Sequence, residues 1–361
     1  MSNSYTKSTL KEMANKKLGI LGGGQLGKMI GMAATKLGIK VNILDPEKDA
    51  PAFQIANKSF VSSYIDKKKI EKFARHCDAV TYEFESIPLE CLRHISNFTK
   101  LYPGITPLRI SQNRLLEKQF INSQKIKVAD FSEVKSKKDI KNFLIRSSNV
   151  GILKTTTQGY DGKGQKKINL KNLKNINIDF KKNNYIFEKM INFKKEISVI
   201  VVRKKNGDLI CYRPAENKHE GGILRETNYP ALVSDKIENQ AKKIAKRIAN
   251  SLNLIGIIAV EMFVTLDDNI VVNEIAPRPH NSGHWTMDVC NISQFEALVR
   301  TIFDLPIKSL EYYHKCKMIN ILGENYNQYF YSFPKKNHRI YIYGKNKIKA
   351  KRKMGHVNVI Y

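Results

Sequence analysis

The sequence predicts an α/β protein that opens with a doubly wound domain. Residues 17–21 form an apolar strand that leads through a glycine-rich turn into a helix and a second strand at residues 41–44, which is a βαβ unit. Farther along, short apolar runs alternate with helical stripes and turn residues. A chain of 361 residues with 42% hydrophobic content can bury large cores, so two or three domains are expected.

The first turn carries a glycine fingerprint. Gly22, Gly24 and Gly27 match G-x-G-x-x-G, and Asp45 lies near the position that would hold a ribose. Taken alone, this turn suggests a nicotinamide-dependent dehydrogenase. The rest of the chain favours a tight turn in which helix and sheet approach closely, or a helix N-terminus that binds a different anion. A strand at residues 79–82 ends at Glu83, which is either a ligand contact at the carboxyl edge of the sheet or an exposed loop acid.

A second glycine-rich segment follows later. A helix at residues 89–98 precedes a Pro/Gly cluster near residue 105, which indicates a domain boundary, and another helix begins at residues 112–118. The strand at residues 152–154 leads into residues 159–165, where three glycines and a lysine suggest a mobile loop that wraps phosphates. The spacing is not that of a Walker A loop, and a flexible hairpin tip is the alternative. Residues 166–184 are typical of exposed edge structure.

The sequence pattern of the second half of the chain predicts a large sheet with helices. Strands are predicted at residues 185–191 and 196–203, and residues 234–252 form a helix with an apolar stripe. A helix at residues 295–303 and short strands at residues 318–323 and 340–343 follow. After these, Lys345 and Arg352 either clamp a phosphate or belong to a solvated basic tail.

A hairpin at residues 257–275 places two acids together. Strands at residues 257–264 and 270–275 flank a polar turn, and folding them symmetrically about Asp267 and Asp268 sets Glu261 opposite Glu274. Facing carboxylates repel unless a cation lies between them, which favours a Mg²⁺ site that also takes substrate phosphates. A register slipped by one residue, or a solvated face, is the alternative. The nearby His280 and His284 do not predict zinc, because proline and glycine deny them helical geometry and no third ligand is evident.

Composition leaves the partner open. The net charge of +29 would suit nucleic acid or an anionic membrane, but the lysines are spread over the whole length without a recognition motif, and an anionic, phosphate-bearing substrate fits equally well. The five cysteines are scattered, which favours a reduced cytoplasmic protein. Residues 1–15 are expected to be a disordered extension, and no apolar run is long enough to span a bilayer.

Together these motifs resemble the ATP-grasp superfamily and, within it, the 5-(carboxyamino)imidazole ribonucleotide synthases of purine biosynthesis. The resemblance covers residues 18–357. It is carried by six segments in family order: residues 22–27, Thr81-Tyr82-Glu83-Phe84-Glu85, residues 159–165, residues 273–284, Ser293-Gln294-Phe295-Glu296 and Arg352-Lys353-Met354-Gly355-His356.

The resemblance implies an ATP-grasp fold with α+β lobes. The N-terminal doubly wound domain would span residues 16–110, the small lobe 111–186 and the large lobe 187–305. Residues 306–361 would form a C-terminal segment packed on the large lobe that completes the ribonucleotide site.

The implied activity is that of an ATP- and Mg²⁺-dependent ligase. It phosphorylates bicarbonate to carboxyphosphate, and the exocyclic amine of 5-aminoimidazole ribonucleotide captures the carboxyl group directly or as released CO₂, with ADP and phosphate as co-products. A homodimer in the cytoplasm, with no nucleic acid or membrane as partner, is implied too. Another ATP-grasp enzyme, such as a glycinamide ribonucleotide transformylase or a biotin carboxylase, would share the lobes and the metal pair, but the segments at residues 159–163 and 277–281 disfavour it.

The resemblance also implies the site residues. The ATP contacts would be Arg114, Lys154, Gly159, Tyr160, Asp161, Gly162, Lys163, Gly164, Gln165, Glu188, Lys189, Met190, Ile191, Glu196, His219, Asn273 and Glu274. Glu261 and Glu274 would bind Mg²⁺, and Arg278, His280 and Asn281 would receive bicarbonate. The ribonucleotide would contact Tyr160, Asp161, Lys345, Arg352, Gln25 and Glu83. The expected catalytic set is Asp161, Arg278, His280, Asn281 and Lys345, in which Asp161 could accept the amine proton.

Overall fold

A computed structural model of the protein describes residues 15–147, 149–157, 159, 164–331 and 335–361. The expected N-terminal extension, apart from Asn15, lies outside the described residues, as do Tyr160, Asp161, Gly162 and Lys163 of the glycine loop. In the described part of the chain, no helix is long and apolar enough to cross a membrane.

The N-terminal sheet is parallel and has the strand order β3-β2-β1-β4-β5. Its strands are β1 (Lys17–Leu21), β2 (Lys40–Asp45), β3 (Lys58–Val61), β4 (Ala79–Tyr82) and β5 (Lys100–Leu101). The helices of this domain are α1 (Gln25–Lys36), α2 (Lys67–Arg75), α3 (Leu89–Ser96) and α4 (Ile105–Ser111). Strands β1, β2 and β4 are buried over nearly their whole length, because helices cover both faces of the sheet. The predicted doubly wound domain is confirmed.

The glycine turn between β1 and α1 binds acidic side chains of the protein itself. The two carboxylate oxygens of Glu83 accept hydrogen bonds from the backbone N–H groups of Gly24 (2.6 Å) and Gly27 (2.7 Å), at the N-terminus of α1. Asp45 accepts one from Gly23 (2.6 Å). A Cβ atom on Gly24 would lie 2.5 Å from a carboxylate oxygen of Glu83, which explains the glycine there. Glu83 therefore occupies the helix end where a dinucleotide would place its pyrophosphate.

The second sheet is antiparallel, with the strand order β6-β9-β7-β8. Its strands are β6 (Phe131–Val134), β7 (Val150–Thr155), β8 (Gln165–Asn169) and β9 (Tyr185–Lys189), and its helices are α5 (Arg114–Ser123) and α6 (Lys137–Ser147). Phe143 of α6 packs edge-on against Phe187 of β9 at 5.2 Å between ring centroids. The boundary expected between residues 186 and 187 falls inside β9, which pairs with this sheet along its full length up to Lys189.

The third sheet has nine strands and forms the body of the molecule. Its strands are β10 (Phe193–Arg203), β11 (Leu209–Cys211), β12 (Ala215–Glu220), β13 (Ile223–Tyr229), β14 (Gly256–Thr265), β15 (Ile270–Ala276), β16 (Cys316–Leu322), β17 (His338–Ile342) and β18 (Lys353–Ile360). Its helices are α7 (Asp235–Ser251), α8 (Thr286–Val289), α9 (Gln294–Ile302) and α10 (Tyr326–Phe330). Helix α7 shares a core with one face of the sheet, whereas α9 and helix α1 of the N-terminal domain share a core with the other.

The C-terminal residues complete this large sheet. The chain beyond Arg352 is not a solvated tail, because β18 is buried over most of its length and pairs with β16 and β17, whereas residues 346–352 before it are exposed. The loop that follows β17 also contacts the N-terminal domain, where Lys28 Nζ donates to the carbonyl oxygen of Tyr343 (3.2 Å). This segment therefore holds the N-terminal domain and the large sheet together.

A substitution at Glu83 tests the role of its carboxylate in the glycine turn. We expect Glu83→Leu to lower the free energy of unfolding by about 3 kcal/mol, since it leaves two backbone N–H groups buried without an acceptor. Glu83→Gln retains one acceptor oxygen and should lose about half as much. Urea unfolding followed by circular dichroism measures both, and equal losses for the two variants would contradict the role of the paired hydrogen bonds.

Candidate active site

Two glutamates face each other on β14 and β15, where Glu261 pairs with Glu274. One oxygen of each carboxylate and a ring nitrogen of His280 lie within 4.8 Å of one another. Glu261 is buried, and within the described residues its Oε1 atom has no hydrogen-bond partner. Burial and the charge of Glu274 raise the pKa of Glu261 to about 7. A buried carboxylate oxygen without a partner, beside a second carboxylate, fits a hard divalent cation.

The register that produces this pair differs from the symmetric one expected from the turn. Next to the turn, Phe263 pairs with Val271 and Met262 with Val272, so the strands are slipped by one residue from the expected alignment. A β-bulge in β15 restores the expected alignment. Glu261 and Met262 are consecutive in β14, but their partners Glu274 and Val272 are separated by the extra residue Asn273. The prediction that Glu261 faces Glu274 is therefore confirmed, but the bulge and not the turn is the reason.

A buried ionic cluster lies at the end of the second sheet. Glu188 Oε2 is 3.0 Å from Lys154 Nζ and 3.5 Å from Lys118 Nζ. Burial alone would raise the pKa of Glu188, but the two ammonium groups outweigh it and hold this pKa below its usual range. Burial lowers the pKa of Lys154. Arg114 Nη2 donates to the carbonyl oxygen of Gly159 (2.8 Å), at the start of the glycine loop.

An acid–histidine pair formed by Glu196 and His219 lies near the two facing carboxylates. His219 Nδ1 lies 2.5 Å from Glu196 Oε2. Burial lowers the pKa of His219, but the bond to Glu196 and the charges of Glu261 and Glu274 raise it above its ordinary value overall. The imidazole beside the acidic pair is thus easier to protonate than a free histidine, as suits a site that receives polyphosphate.

The loop after β15 presents polar atoms that have no partner within the described chain: Arg278 Nε and both side-chain atoms of Asn281. Arg278 is otherwise held by Glu85, at 2.6 Å, and by the carbonyl oxygen of Pro279, at 3.0 Å. Gln294 fixes the loop by bonding both backbone groups of His280, at 2.9 and 2.7 Å. Burial and the charge of Arg278 lower the pKa of His280 well below its ordinary value, so its ring is neutral. A guanidinium and an amide with open hydrogen-bonding positions suit a small oxyanion.

The residues expected at the ribonucleotide come from two parts of the molecule. Gln25 begins helix α1, beside the carboxylate of Glu83, and the charge of Lys345 acts on that carboxylate. Lys345 Nζ donates to the carbonyl oxygen of Lys353 (2.7 Å). Arg352 is exposed, and its Nη1 donates to the carbonyl oxygen of Lys347 (2.9 Å). The N-terminal domain and the C-terminal segment therefore meet here.

The remaining expected ATP contacts occupy strand ends and the glycine loop. Lys189 ends β9 with its ammonium 3.7 Å from Asp130, and Met190 and Ile191 follow it. Gly164 has a φ of +73°, and Gln165 begins β8 opposite Lys154. Tyr160, Asp161, Gly162 and Lys163 lie outside the described residues.

Sequence reasoning missed four polar residues that the fold brings to this region: Glu85, Glu117, Lys118 and Gln294. Glu85 lies two residues beyond Glu83 at the end of a strand, and Gln294 lies in one of the six family segments, so both carried a signal. Adjacent acidic and basic residues at the start of an amphipathic helix, as at Glu117 and Lys118, usually indicate a solvated face, and both of these are buried.

Three family models and curated relatives match the sequence of this chain. The ribonucleotide synthetase preATP-grasp domain matches residues 15–112, the ATP-grasp domain residues 119–295 and the phosphoribosylaminoimidazole carboxylase C-terminal domain residues 316–361. The chain is 41% identical over 343 residues to the N5-carboxyaminoimidazole ribonucleotide synthase of Bacillus subtilis, covering 94% of this chain and 90% of the relative.

Two solved structures share the fold of this chain. An ADP complex of N5-carboxyaminoimidazole ribonucleotide synthetase superposes with a TM-score of 0.91 at 39% identity, covering 96% of this chain and 93% of the other. The Aspergillus clavatus N5-carboxyaminoimidazole synthase, in complex with ADP and 5-aminoimidazole ribonucleotide, superposes with a TM-score of 0.86 at 31% identity, covering 97% and 94%.

The ion pair between Glu85 and Arg278 should stabilise the contact between the N-terminal domain and the large sheet. We expect Glu85→Leu to lower the free energy of unfolding by about 2 kcal/mol, because a largely buried guanidinium loses its counter-charge. The double variant Glu85→Leu/Arg278→Met leaves no unpaired charge and should recover part of this loss.

An exposed pair supplies the control for this comparison. Glu71 pairs with Arg75 on the surface of α2, and Glu71→Leu should change the free energy by less than about 0.5 kcal/mol. Denaturant unfolding compares all three variants. If Glu85→Leu behaved like Glu71→Leu, the pair would contribute nothing to the domain contact.

Proposed function

Because the chain belongs to the N5-carboxyaminoimidazole ribonucleotide synthase family of ATP-grasp enzymes, we propose that its facing glutamates and the loop that follows them activate bicarbonate for this ligase. The family reaction is an ATP-dependent step of purine biosynthesis. The observation that carries the proposal is the pairing of Glu261 with Glu274 at the end of a strand whose next residues present Arg278 and Asn281.

The residues of the pair suit a magnesium ion. Glu261 and Glu274 supply carboxylate oxygens, which Mg²⁺ prefers, and the ion would neutralise charge on the β- and γ-phosphates of ATP. Lys154 and Arg114 would contact the phosphates, together with the glycine loop at residues 159–165. The other proposed ATP contacts are Glu188, Lys189, Met190, Ile191, Glu196, His219 and Asn273.

Arg278, His280 and Asn281 would hold bicarbonate at the other end of the site. One bicarbonate oxygen attacks the γ-phosphorus in line. The bond between that phosphorus and the oxygen that bridges to the β-phosphate breaks, and ADP leaves with the electron pair of this bond. The product is carboxyphosphate. Arg278 contributes by fixing the anion and stabilising its charge, since positioning dominates phosphoryl transfer.

The second half-reaction would join the carboxyl group to the ribonucleotide. The exocyclic amine of 5-aminoimidazole ribonucleotide attacks the carboxyl carbon, a C–N bond forms, and phosphate leaves with the electrons of the C–O bond. We assign the amine proton to Asp161, and the contacts to the ribonucleotide to Tyr160, Gln25 and Glu83. Lys345 and Arg352 would pair with its phosphate, for which an ammonium and a guanidinium are suitable partners.

The domain division and the cellular setting are part of the same proposal. The preATP-grasp domain, the two lobes and the C-terminal segment correspond to residues 16–110, 111–186, 187–305 and 306–361, and the course of β9 favours moving the second boundary to Lys189. The five cysteines are free thiols, which supports a reducing compartment such as the cytoplasm. A homodimer is proposed from the family resemblance alone.

The substrate assignment predicts a specific dependence of ATP turnover. Release of ADP in the presence of Mg²⁺ and bicarbonate should rise strongly when 5-aminoimidazole ribonucleotide is added, because the amine consumes carboxyphosphate. A coupled assay for ADP measures this, with glycinamide ribonucleotide as the control nucleotide. If the rate of ADP release did not change when 5-aminoimidazole ribonucleotide is added, the assignment of the acceptor would be contradicted.

The metal assignment predicts the effect of one isosteric change. Glu274→Gln removes one of the two charges and should lower ADP release by at least about 100-fold while the circular dichroism spectrum stays unchanged. Glu133→Gln, on the exposed strand β6, is the matched control and should retain full activity. Retained activity in Glu274→Gln would remove this residue from the metal site.

A further inference from the structure

The bulge in β15 decides which face of the sheet receives Glu274. Residues Ile270 and Val272 point into the apolar core shared with α7, and strict alternation would send residue 274 into the same core. With the extra residue at Asn273, Ile275 enters that core instead. Glu274 then turns to the opposite face, beside Glu261. In a regular strand, Glu274 would be buried among aliphatic side chains, and Glu261 would have no carboxylate facing it.

The backbone around the bulge depends on two side chains of helix α5. Lys118 Nζ donates to the carbonyl oxygen of Asn273 at 2.6 Å and reaches that of Val272 at 3.5 Å. Glu117 Oε1 accepts from the N–H of Ile275 at 2.7 Å. Among the described strands β15 pairs only with β14, and its other edge is bridged only at Val272, whose N–H donates to the carbonyl oxygen of Lys127 at 2.9 Å. Glu117 and Lys118 bind the backbone of this edge beyond that bridge. Buried peptide groups need such partners, and here two adjacent residues supply a donor and an acceptor on the two sides of Glu274.

Both side chains are buried at a cost that a solely structural helix would avoid. Glu117 is 3% exposed and Lys118 is 1% exposed. The charge of Lys118 is balanced by Glu188, at 3.5 Å, which also binds Lys154. Burial raises the pKa of Glu117 to about 8. Buried polar or charged groups of this kind are seldom the most stabilising solution, because apolar residues of equal volume often stabilise as well or better. Their hydrogen bonds to the backbone of residues 273 and 275 indicate a role other than stabilising the fold.

We propose that Glu117 and Lys118 are positioning residues of the active site, which hold the Asn273 bulge and thereby turn Glu274 toward Glu261. This inference rests on the proposed metal function of the two glutamates. Neither side chain needs to touch the metal or the nucleotide for this role. Their loss lets β15 relax toward regular alternation, which withdraws one carboxylate from the pair.

The test measures binding of Mn²⁺, as a probe for the divalent cation, to the full-length protein with saturating ADP. Calorimetry gives the affinity, and hydrogen exchange reports protection of the amide of Ile275. Lys118→Met keeps the length of the side chain without the donor, and Glu117→Met removes the acceptor. We expect each to weaken Mn²⁺ binding by about 10-fold to about 100-fold, as other supporting contacts of metal ligands do, and to expose the Ile275 amide to exchange.

Glu117→Gln is the matched rescue variant, since its amide oxygen can still accept from Ile275. It should restore protection of that amide and bring the Mn²⁺ affinity to within about 3-fold of the wild type, well short of the loss typical for a supporting contact. A merely structural role would lower the thermal midpoint of Glu117→Met and Lys118→Met but leave the Mn²⁺ affinity of the folded protein unchanged, which would overturn the inference.

The glutamate variant separates this inference from the function on which it rests. If Glu274→Gln abolishes Mn²⁺ binding while Lys118→Met and Glu117→Met bind normally, only the positioning role fails. If Glu274→Gln itself binds Mn²⁺ like the wild type, the metal assignment fails, and the positioning role fails with it.

Discussion

Repulsion between a buried and a partly buried carboxylate is the constraint on which the rest of the site depends. At an effective dielectric constant of about 20, two unit charges about 4 Å apart repel by about 4 kcal/mol, and burial adds to the cost of each charge. The protein nevertheless brings Glu261 and Glu274 face to face and surrounds them with groups of opposite sign or open polarity. The charges of the pair act on His219, and that of Glu274 acts on Arg278. A cation bound between the two carboxylates would remove most of this cost.

The site draws on all three sheets, and its parts are held by contacts that cross between them. Glu85 of the N-terminal domain pairs with Arg278 in the loop after β15, Lys118 of α5 donates to the carbonyl oxygen of Asn273 in β15, and Lys28 of α1 donates to the carbonyl oxygen of Tyr343. Each contact involves a charged side chain, so separating the domains would remove a partner from a charge. The active site is for this reason also the place where the domains of the molecule are tied together.

The sequence was informative where local patterns decide the structure. Alternation and turn residues predicted β14 and β15, and the glycine turn predicted the first βαβ unit. Helices α2 and α6 escaped notice because lysines and few apolar residues obscure their periodicity, and β18 was hidden behind a basic stretch. The bulge left a faint trace, since the apolar residues Ile270, Val272 and Ile275 break strict alternation. The pairing of Glu85 with Arg278 joins positions far apart in the chain, and no local pattern encodes it.

The carboxylate of Glu83 at the start of helix α1 has a consequence for how the N-terminal domain can evolve. An anion that is part of the same chain, and already oriented, is present at an effective concentration that no dissolved phosphate reaches. A nucleotide would have to displace this tethered competitor before it could use the glycine turn. The domain thus retains the outline of a dinucleotide-binding fold, with that helix end closed from within by carboxylates of the same chain.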